Sequence, residues 1–235
     1  MVKVSHYETS STFDYSWKQV VQAFWNRYPN PSSAHVLTED VVKRDVIEGK
    51  LYTRRLLSKT NPLPKWGERF YNAKSVKIIE DSILDPKTKI LVTYTRNVGF
   101  KKVMKVDEKV EYRETEDGKT IAIRSAWVSS QIFGFSAAIR AFGVERFKSN
   151  CNKTVAGFNY VLCKMFPSKL DSIKANEPSN IHSASQYIQQ HQLQPQLHNL
   201  QQSSKITKIK NAGHATYIFV KNQANKVYQL FSVSN

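Results

Sequence analysis

The sequence predicts an α+β fold, a curved antiparallel sheet crossed on its concave face by one long helix that closes the folded part of the chain. Three observations carry this. Six strand-like runs separated by turn signals fill residues 35–131. Several of them alternate, as where Lys105, Asp107, Lys109 and Glu111 are set against Val106, Val110 and Tyr112. One wet face and one buried face mean antiparallel strands. Finally, from about Phe133 to Phe166 the apolar period becomes helical, through Phe135, Ile139, Phe142, Phe147, Cys151, Phe158 and Leu162.

The elements follow in order. An N-terminal strand leads to Phe13-Asp14, where Asp14 is expected to cap a helix. Trp17, Val20, Val21, Phe24 and Trp25 recur at helical spacing, and Tyr28-Pro29-Asn30-Pro31 ends that helix. The strand runs are His35–Asp45, Leu51–Ser58, Val76–Leu84, Ile90–Asn97, Val103–Glu114 and Thr120–Gln131, parted by Glu48-Gly49-Lys50, Asp85-Pro86, Gly99 and Glu116-Asp117-Gly118. The last helix would be ~50 Å long if straight, so a bend is expected near Gly143. A long helix on a concave sheet encloses a groove, and a filled core is the default expectation for it.

Composition divides the chain into 1–168, which is periodic and aromatic, and 169–235, which is rich in Gln, Ser and Asn before a last apolar stretch at 215–232. The second part is a low-complexity tail expected to be disordered. The whole chain has 235 residues, 40% hydrophobic residues and a net charge of +16, a surplus that calls for an anionic partner without choosing among nucleic acid, acidic membrane and small ligand. No run of about 18 apolar residues is present. The N-terminus lacks an apolar secretory core, and Glu8 and Asp14 argue against a cleaved mitochondrial presequence.

Enzyme signatures are missing. There is no nucleophile elbow, no His-Glu-x-x-His and no phosphate loop, so neither catalysis nor a cofactor is expected. Only His6 and His35 fall in the folded part, and no metal site is expected. Cys151 and Cys163, ~18 Å apart on one helix, are too far for a disulfide and read as small buried hydrophobes.

Four features remain as candidates for binding. Phe142, Arg146, Asn150, Lys153 and Gly157 form one stripe beside an apolar seam of Phe147, Cys151, Phe158 and Leu162. That pairing suits an anionic head group with apolar tails, or an ordinary solvated face. Arg27 closes the first helix, where it favours the dipole. Of Arg54 and Arg55 one faces inward, and pattern alone does not say which. Lys59 to Trp66, with Pro62, Leu63 and Pro64, reads either as a stiff loop whose Trp meets a membrane or as one whose Trp tucks into the core.

These residues carry a resemblance. Ala23-Phe24-Trp25-Asn26-Arg27-Tyr28-Pro29-Asn30-Pro31, then His35 to Asp40, Arg54-Arg55-Leu56-Leu57, Asp81 to Pro86, Ala126 to Ser130 and Phe142 to Asn150 resemble the PRELI family of mitochondrial lipid-transfer proteins, collinearly over residues 1 to about 167. The resemblance is to its phosphatidic acid branch. It implies a seven-stranded START-like sheet with a long helix around a lipid cavity. It also implies phospholipid shuttling between outer and inner mitochondrial membranes in support of cardiolipin synthesis, in the intermembrane space. The implied partners are phosphatidic acid as cargo, anionic mitochondrial membranes and a small twin Cys-x9-Cys protein. The implied head-group ligands are Arg27, His35, Arg55, Lys59, Arg146, Asn150 and Lys153, with a membrane-contacting lid at Pro62, Leu63, Pro64 and Trp66. On this reading Arg27→Ala or Lys153→Ala lowers transfer without unfolding the domain. The alternatives are a basic adaptor that binds anionic membranes without moving lipid, and a nucleic-acid binder. The second lacks an aromatic RNA-reading motif and is not expected.

Overall fold

The computed structural model describes residues 3–60, 74–101 and 103–167. The lid at Pro62, Leu63, Pro64 and Trp66 and the tail at 169–235 lie outside them. Among the described residues, seven strands form one antiparallel sheet. They are β1 (Val4–Phe13), β2 (Val36–Ile47), β3 (Lys50–Thr60), β4 (Ser75–Asp85), β5 (Ile90–Asn97), β6 (Lys105–Glu114) and β7 (Thr120–Ser129). Their order is β1-β7-β6-β5-β4-β3-β2. From β2 to β7 each strand pairs with the next in sequence, and the first strand returns to pair with the last, Phe13 facing Thr120 and Val4 facing Ser129.

Helix α1 (Trp17–Trp25) and helix α2 (Ser136–Met165) cover one face of the sheet. A 3-10 turn at Pro31–Ser33 joins α1 to β2. The cap of α1 is Ser16, not Asp14. Ser16 Oγ accepts from the Gln19 amide at 3.4 Å, and the Gln19 side chain accepts from the Ser16 amide at 3.0 Å. This reciprocal box satisfies two orphan donors at once. Asp14 lies outside it and pairs with Lys119 at 2.8 Å. The amphipathic face of α1 buries Trp17, Val20, Val21 and Phe24, while Trp25 is half-buried.

Helix α2 runs as one helix of 30 residues, about 45 Å. Gly143 lies where α2 meets the sheet. A Cβ there would lie 2.6 Å from Met104 Sδ and 2.7 Å from Val128 Cγ1, so the bare backbone lets α2 settle onto β7. Gly157 does the same at the other end, where a Cβ would overlap the Asn30 side chain. Asn30 is itself fixed: its amide nitrogen donates to the Arg27 carbonyl at 2.6 Å, and its oxygen accepts from the Ser32 amide at 3.0 Å.

The apolar core has two centres. Phe13, Phe24, Leu91, Tyr112, Phe158 and Leu162 form one between α1, the sheet and the C-terminal half of α2. Phe100, Val103, Met104, Val128 and Ile139 form the other near the start of α2. Val103 belongs to the turn before β6, where its amide donates to the Phe100 carbonyl at 3.0 Å, and not to the strand. Cys151 is buried, but Cys163 is exposed and its sulfur lies 3.2 Å from the Tyr15 hydroxyl. No described helix is long and apolar enough to cross a membrane.

A cationic cavity between sheet and helix

The two core centres do not meet. Between them, under α2, lies a cavity of about 170 Å³. That is room for on the order of ten waters, far more than a packing void. The filled core expected by default is therefore replaced by real space. Its polar wall includes His35, Lys59, Arg96, Arg124, Arg146 and Asn150, and its apolar wall includes Val76, Ile78, Phe100, Met104 and Phe147. Among the described residues, four lysine or arginine side chains and one carboxylate, Glu108, line it. That carboxylate is already engaged, with its oxygen 2.8 Å from Arg124 Nε.

Each site residue arrives by a different route. Lys59 is the penultimate residue of β3, where alternation through Thr53, Arg55 and Leu57 has turned odd positions inward. The register resolves the pair left open by pattern: Arg55 is buried, and Arg54 is on the opposite face with Asp81 at 2.7 Å. His35 sits between the 3-10 turn and β2, its carbonyl accepting from the Thr60 amide at 2.8 Å. Arg146 and Asn150 come from one stripe of α2. Lys153, on the same stripe, lines a smaller recess with Arg27, Tyr28, Asn30, Ser33 and His35. His35 lines both spaces, so six of the seven candidate ligands border one or other of two neighbouring spaces.

Arg55 is the exception. Its guanidinium donates to Glu80 and to Glu39 beneath that region. Arg27 donates to the other Glu80 oxygen at 2.5 Å. Both guanidiniums lie over the Phe24 ring, 4.2 Å and 4.5 Å from its centroid. Two arginines and two glutamates thus form a charge-balanced buried group. Burial would raise the Glu80 carboxyl, but Arg27 and Arg55 outweigh it and hold it down at about 2. Burial would lower Arg27, and Glu80 reverses that. Arg27 keeps one unused donor, a buried Nε with no hydrogen-bond partner among the described residues. Pattern reading missed both glutamates, because Glu80 in Lys77-Ile78-Ile79-Glu80-Asp81 looks like a solvent-facing position. Only its register opposite Arg55, which the pattern does not supply, marks it as a counter-ion.

The upper group is different in kind. His35 is pushed below its ordinary pKa by burial, then by Lys59, Lys153 and Arg146, which surround it with like charge. Burial likewise lowers Arg146. Lys59 adds its charge beside the half-buried His35 and Arg146, and so concentrated a positive potential favours an anion. The region can therefore take a compact anion, with apolar wall beside it. Among the described residues, no group of three or more His, Cys, Asp or Glu is placed to hold a metal ion.

Comparison with known proteins gives the same outline. Residues 18–168 match the model of the PRELI-like family. The chain is 49% identical over 168 residues to "PRELI domain-containing protein 1, mitochondrial" of Bos taurus, covering 69% of this chain and 77% of that one. It is 34% identical over 163 residues to "Protein UPS1, mitochondrial" of Saccharomyces cerevisiae, covering 68% and 93%. In fold it resembles the crystal structure of TTHA0849 from Thermus thermophilus, with TM-score 0.50 and 11% identity over 69% of this chain and 99% of that one. With a seven-stranded sheet, a long closing helix and this extent of sequence identity, the chain belongs to the PRELI-like family.

Proposed function

We propose that this protein carries phosphatidic acid between the outer and inner mitochondrial membranes, without covalent chemistry or a cofactor. The mitochondrial lipid-transfer role is that of its family, and relatives are named as mitochondrial. The observation that carries the choice of cargo is that Lys59 and Arg146 line the cavity and Lys153 its recess, with His35 lining both. A phosphomonoester brings roughly −1.5 to −2 charge near neutral pH and three acceptor oxygens. Arginine matches such oxygens bidentately, and lysine adds a point charge. A choline lipid would bring a cation into a space already crowded with them. The apolar wall at Val76, Ile78 and Phe147 is suited to the first part of the acyl chains. A small twin Cys-x9-Cys protein of the intermembrane space is the proposed soluble partner, and delivery of phosphatidic acid to cardiolipin synthesis the proposed use.

The test is transfer between donor and acceptor liposomes by the full chain co-expressed with that partner. Phosphatidic acid, phosphatidylserine and phosphatidylcholine are compared. Selective movement of phosphatidic acid supports the reading. Binding to anionic liposomes without movement makes the protein an adaptor.

A further inference from the structure

One end of the molecule carries an aromatic surface that the cavity does not use. Phe133, in the turn between β7 and α2, is 99% exposed, the most exposed large hydrophobic residue described, and Phe135 is 51% exposed. The turn is built to present them. Gly134 takes φ +75, a left-handed conformation that other residues rarely adopt, although a Cβ there would meet nothing. Ser136 Oγ donates to the Ser130 carbonyl at 3.0 Å, and the Phe135 amide donates to the Ile132 carbonyl at 3.3 Å. Ile132 packs into the core centre of Phe100, Met104 and Ile139. So Phe133 projects from an anchored turn.

The neighbouring segments share one charge character. Val76, Phe100, Met104, Ile132 and Ile139 gather in that same centre, which joins residues 74–79, 96–105 and 130–144. The Val98 and Gly99 amides both donate to the Lys77 carbonyl, tying the β5–β6 turn to β4. Across the three segments the sequence has seven Lys or Arg and no Asp or Glu. Lys74, Lys77 and Lys101 are exposed, as is Val98 at 41%. Lys105 is paired with Asp107 at 2.6 Å and Arg96 lines the cavity, which leaves the exposed Lys74, Lys77 and Lys101 beside the apolar tip, and that combination is complementary to an anionic bilayer surface. A soluble protein surface offers apolar contact but no such sheet of negative charge.

We propose that this rim is a membrane-docking surface. Phe133 and Phe135 enter the head-group boundary of an anionic bilayer, and Lys74, Lys77 and Lys101 engage its phosphates. Val76, Phe100 and Met104 also wall the cavity, so docking here brings the cavity to the membrane. The purpose of docking rests on the carrier reading, but docking itself does not.

The test is co-sedimentation of the full chain with vesicles of phosphatidylcholine alone or with phosphatidylserine. Phe133→Ser with Phe135→Ser is expected to weaken binding to the anionic vesicles about tenfold or more, from the lost apolar burial. Phe133→Trp is expected to keep binding, with an added blue-shifted emission quenched by brominated lipid. Val46→Ser is the control, 72% exposed in the native chain and at the opposite end of the sheet, and it should bind as wild type. Unchanged binding of the double serine variant overturns the proposal. So does equal loss from Val46→Ser, which would mean general apolar adhesion. Added emission in the Phe133→Trp variant that is indifferent to vesicles also overturns it, and points to a protein partner instead. Should the wild type move no phosphatidic acid while the serine variant loses vesicle binding, the carrier reading falls and docking stands.

Discussion

Replacing Glu80 by glutamine removes the carboxylate on which Arg27 and Arg55 both depend. Glutamine keeps the shape and one acceptor but leaves two buried guanidiniums with Glu39 as their remaining anion. The magnitude follows two ways. The fall of the Glu80 carboxyl from 4.5 to about 2 corresponds to roughly 3 kcal/mol of folded-state preference for the ion. Breaking a buried pair by removing one partner costs about 3–5 kcal/mol. For a domain of this size that is on the order of 10 °C in melting temperature. The sign with pH is equally definite. A carboxyl depressed on folding contributes stability that is complete above its unfolded value of 4.5, and that is lost as pH falls toward about 2. Urea unfolding of wild type and Glu80→Gln, followed by Trp fluorescence across that window, checks both points. The wild type should lose stability from pH 4.5 downward, and the variant should lose less over the same range. A destabilisation under about 1 kcal/mol at neutral pH, or parallel pH curves, would show that Glu80 does not hold the group together.

The other outcomes concern cargo and packing. Lys153→Ala, at an exposed position, should weaken phosphatidic acid binding about tenfold and leave the melting temperature unchanged; thermal scans beside lipid transfer separate these. Arg27→Ala, by contrast, should destabilise the domain by roughly 3 kcal/mol, because it takes one of two buried partners from Glu80 and leaves Arg55 alone with two glutamates, so its loss of transfer would come with loss of stability. His35 is held below 6.5 by burial and by its three cationic neighbours, and a bound phosphate offsets those neighbours, so binding should take up a proton. Calorimetry with a soluble short-chain phosphatidic acid in buffers of different ionisation enthalpy reads that uptake near pH 6.5, and His35→Gln should reduce it. Gly157→Ala should cost about 1–3 kcal/mol by forcing Asn30 aside, measured by urea unfolding.

Pattern reading reaches the architecture because both of its periods are clean. Alternation through Val106, Val110 and Tyr112 gives β6 its buried face, and the spacing of Ile139, Cys151, Phe158 and Leu162 gives α2 its own. The seven candidate ligands come from the family resemblance and not from pattern, and six of them border the cavity or its recess. What pattern does not supply is register. Arg54 and Arg55 are adjacent in sequence, and one slip of pairing would exchange their faces. For the same reason Glu80 and Glu39 stay invisible, since a strand glutamate is ordinarily wet and only its cross-strand neighbour makes it a buried counter-ion. The Asp14 cap fails on a matter of two residues, where Ser16 with Gln19 offers a reciprocal box and Asp14 has no such partner. Glycine is silent for a related reason. Nothing local to Gly143 announces that a side chain there would meet Met104 and Val128 from distant parts of the chain.

The bare contact between Gly157 and Asn30 also bears on when the binding region comes into being. Asn30 braces the segment that presents Arg27 and His35, and the matching helix surface lies more than a hundred residues later. Lys59 comes from β3 and Lys153 from the second half of α2. No N-terminal fragment short of α2 holds the complete set. Contacts of such long sequence separation form slowly, after the loops between them have closed. A chain that emerges N-terminus first therefore passes most of its folding with the arginine and glutamate group lacking the helix that supplies Arg146, Asn150 and Lys153, and with the sheet's apolar face uncovered. Competence to hold cargo and burial of that face arrive in one step, when the last helix docks. A partner that shields the face before that step would act on folding yield, and its loss would be felt first as missing protein instead of as inactive protein.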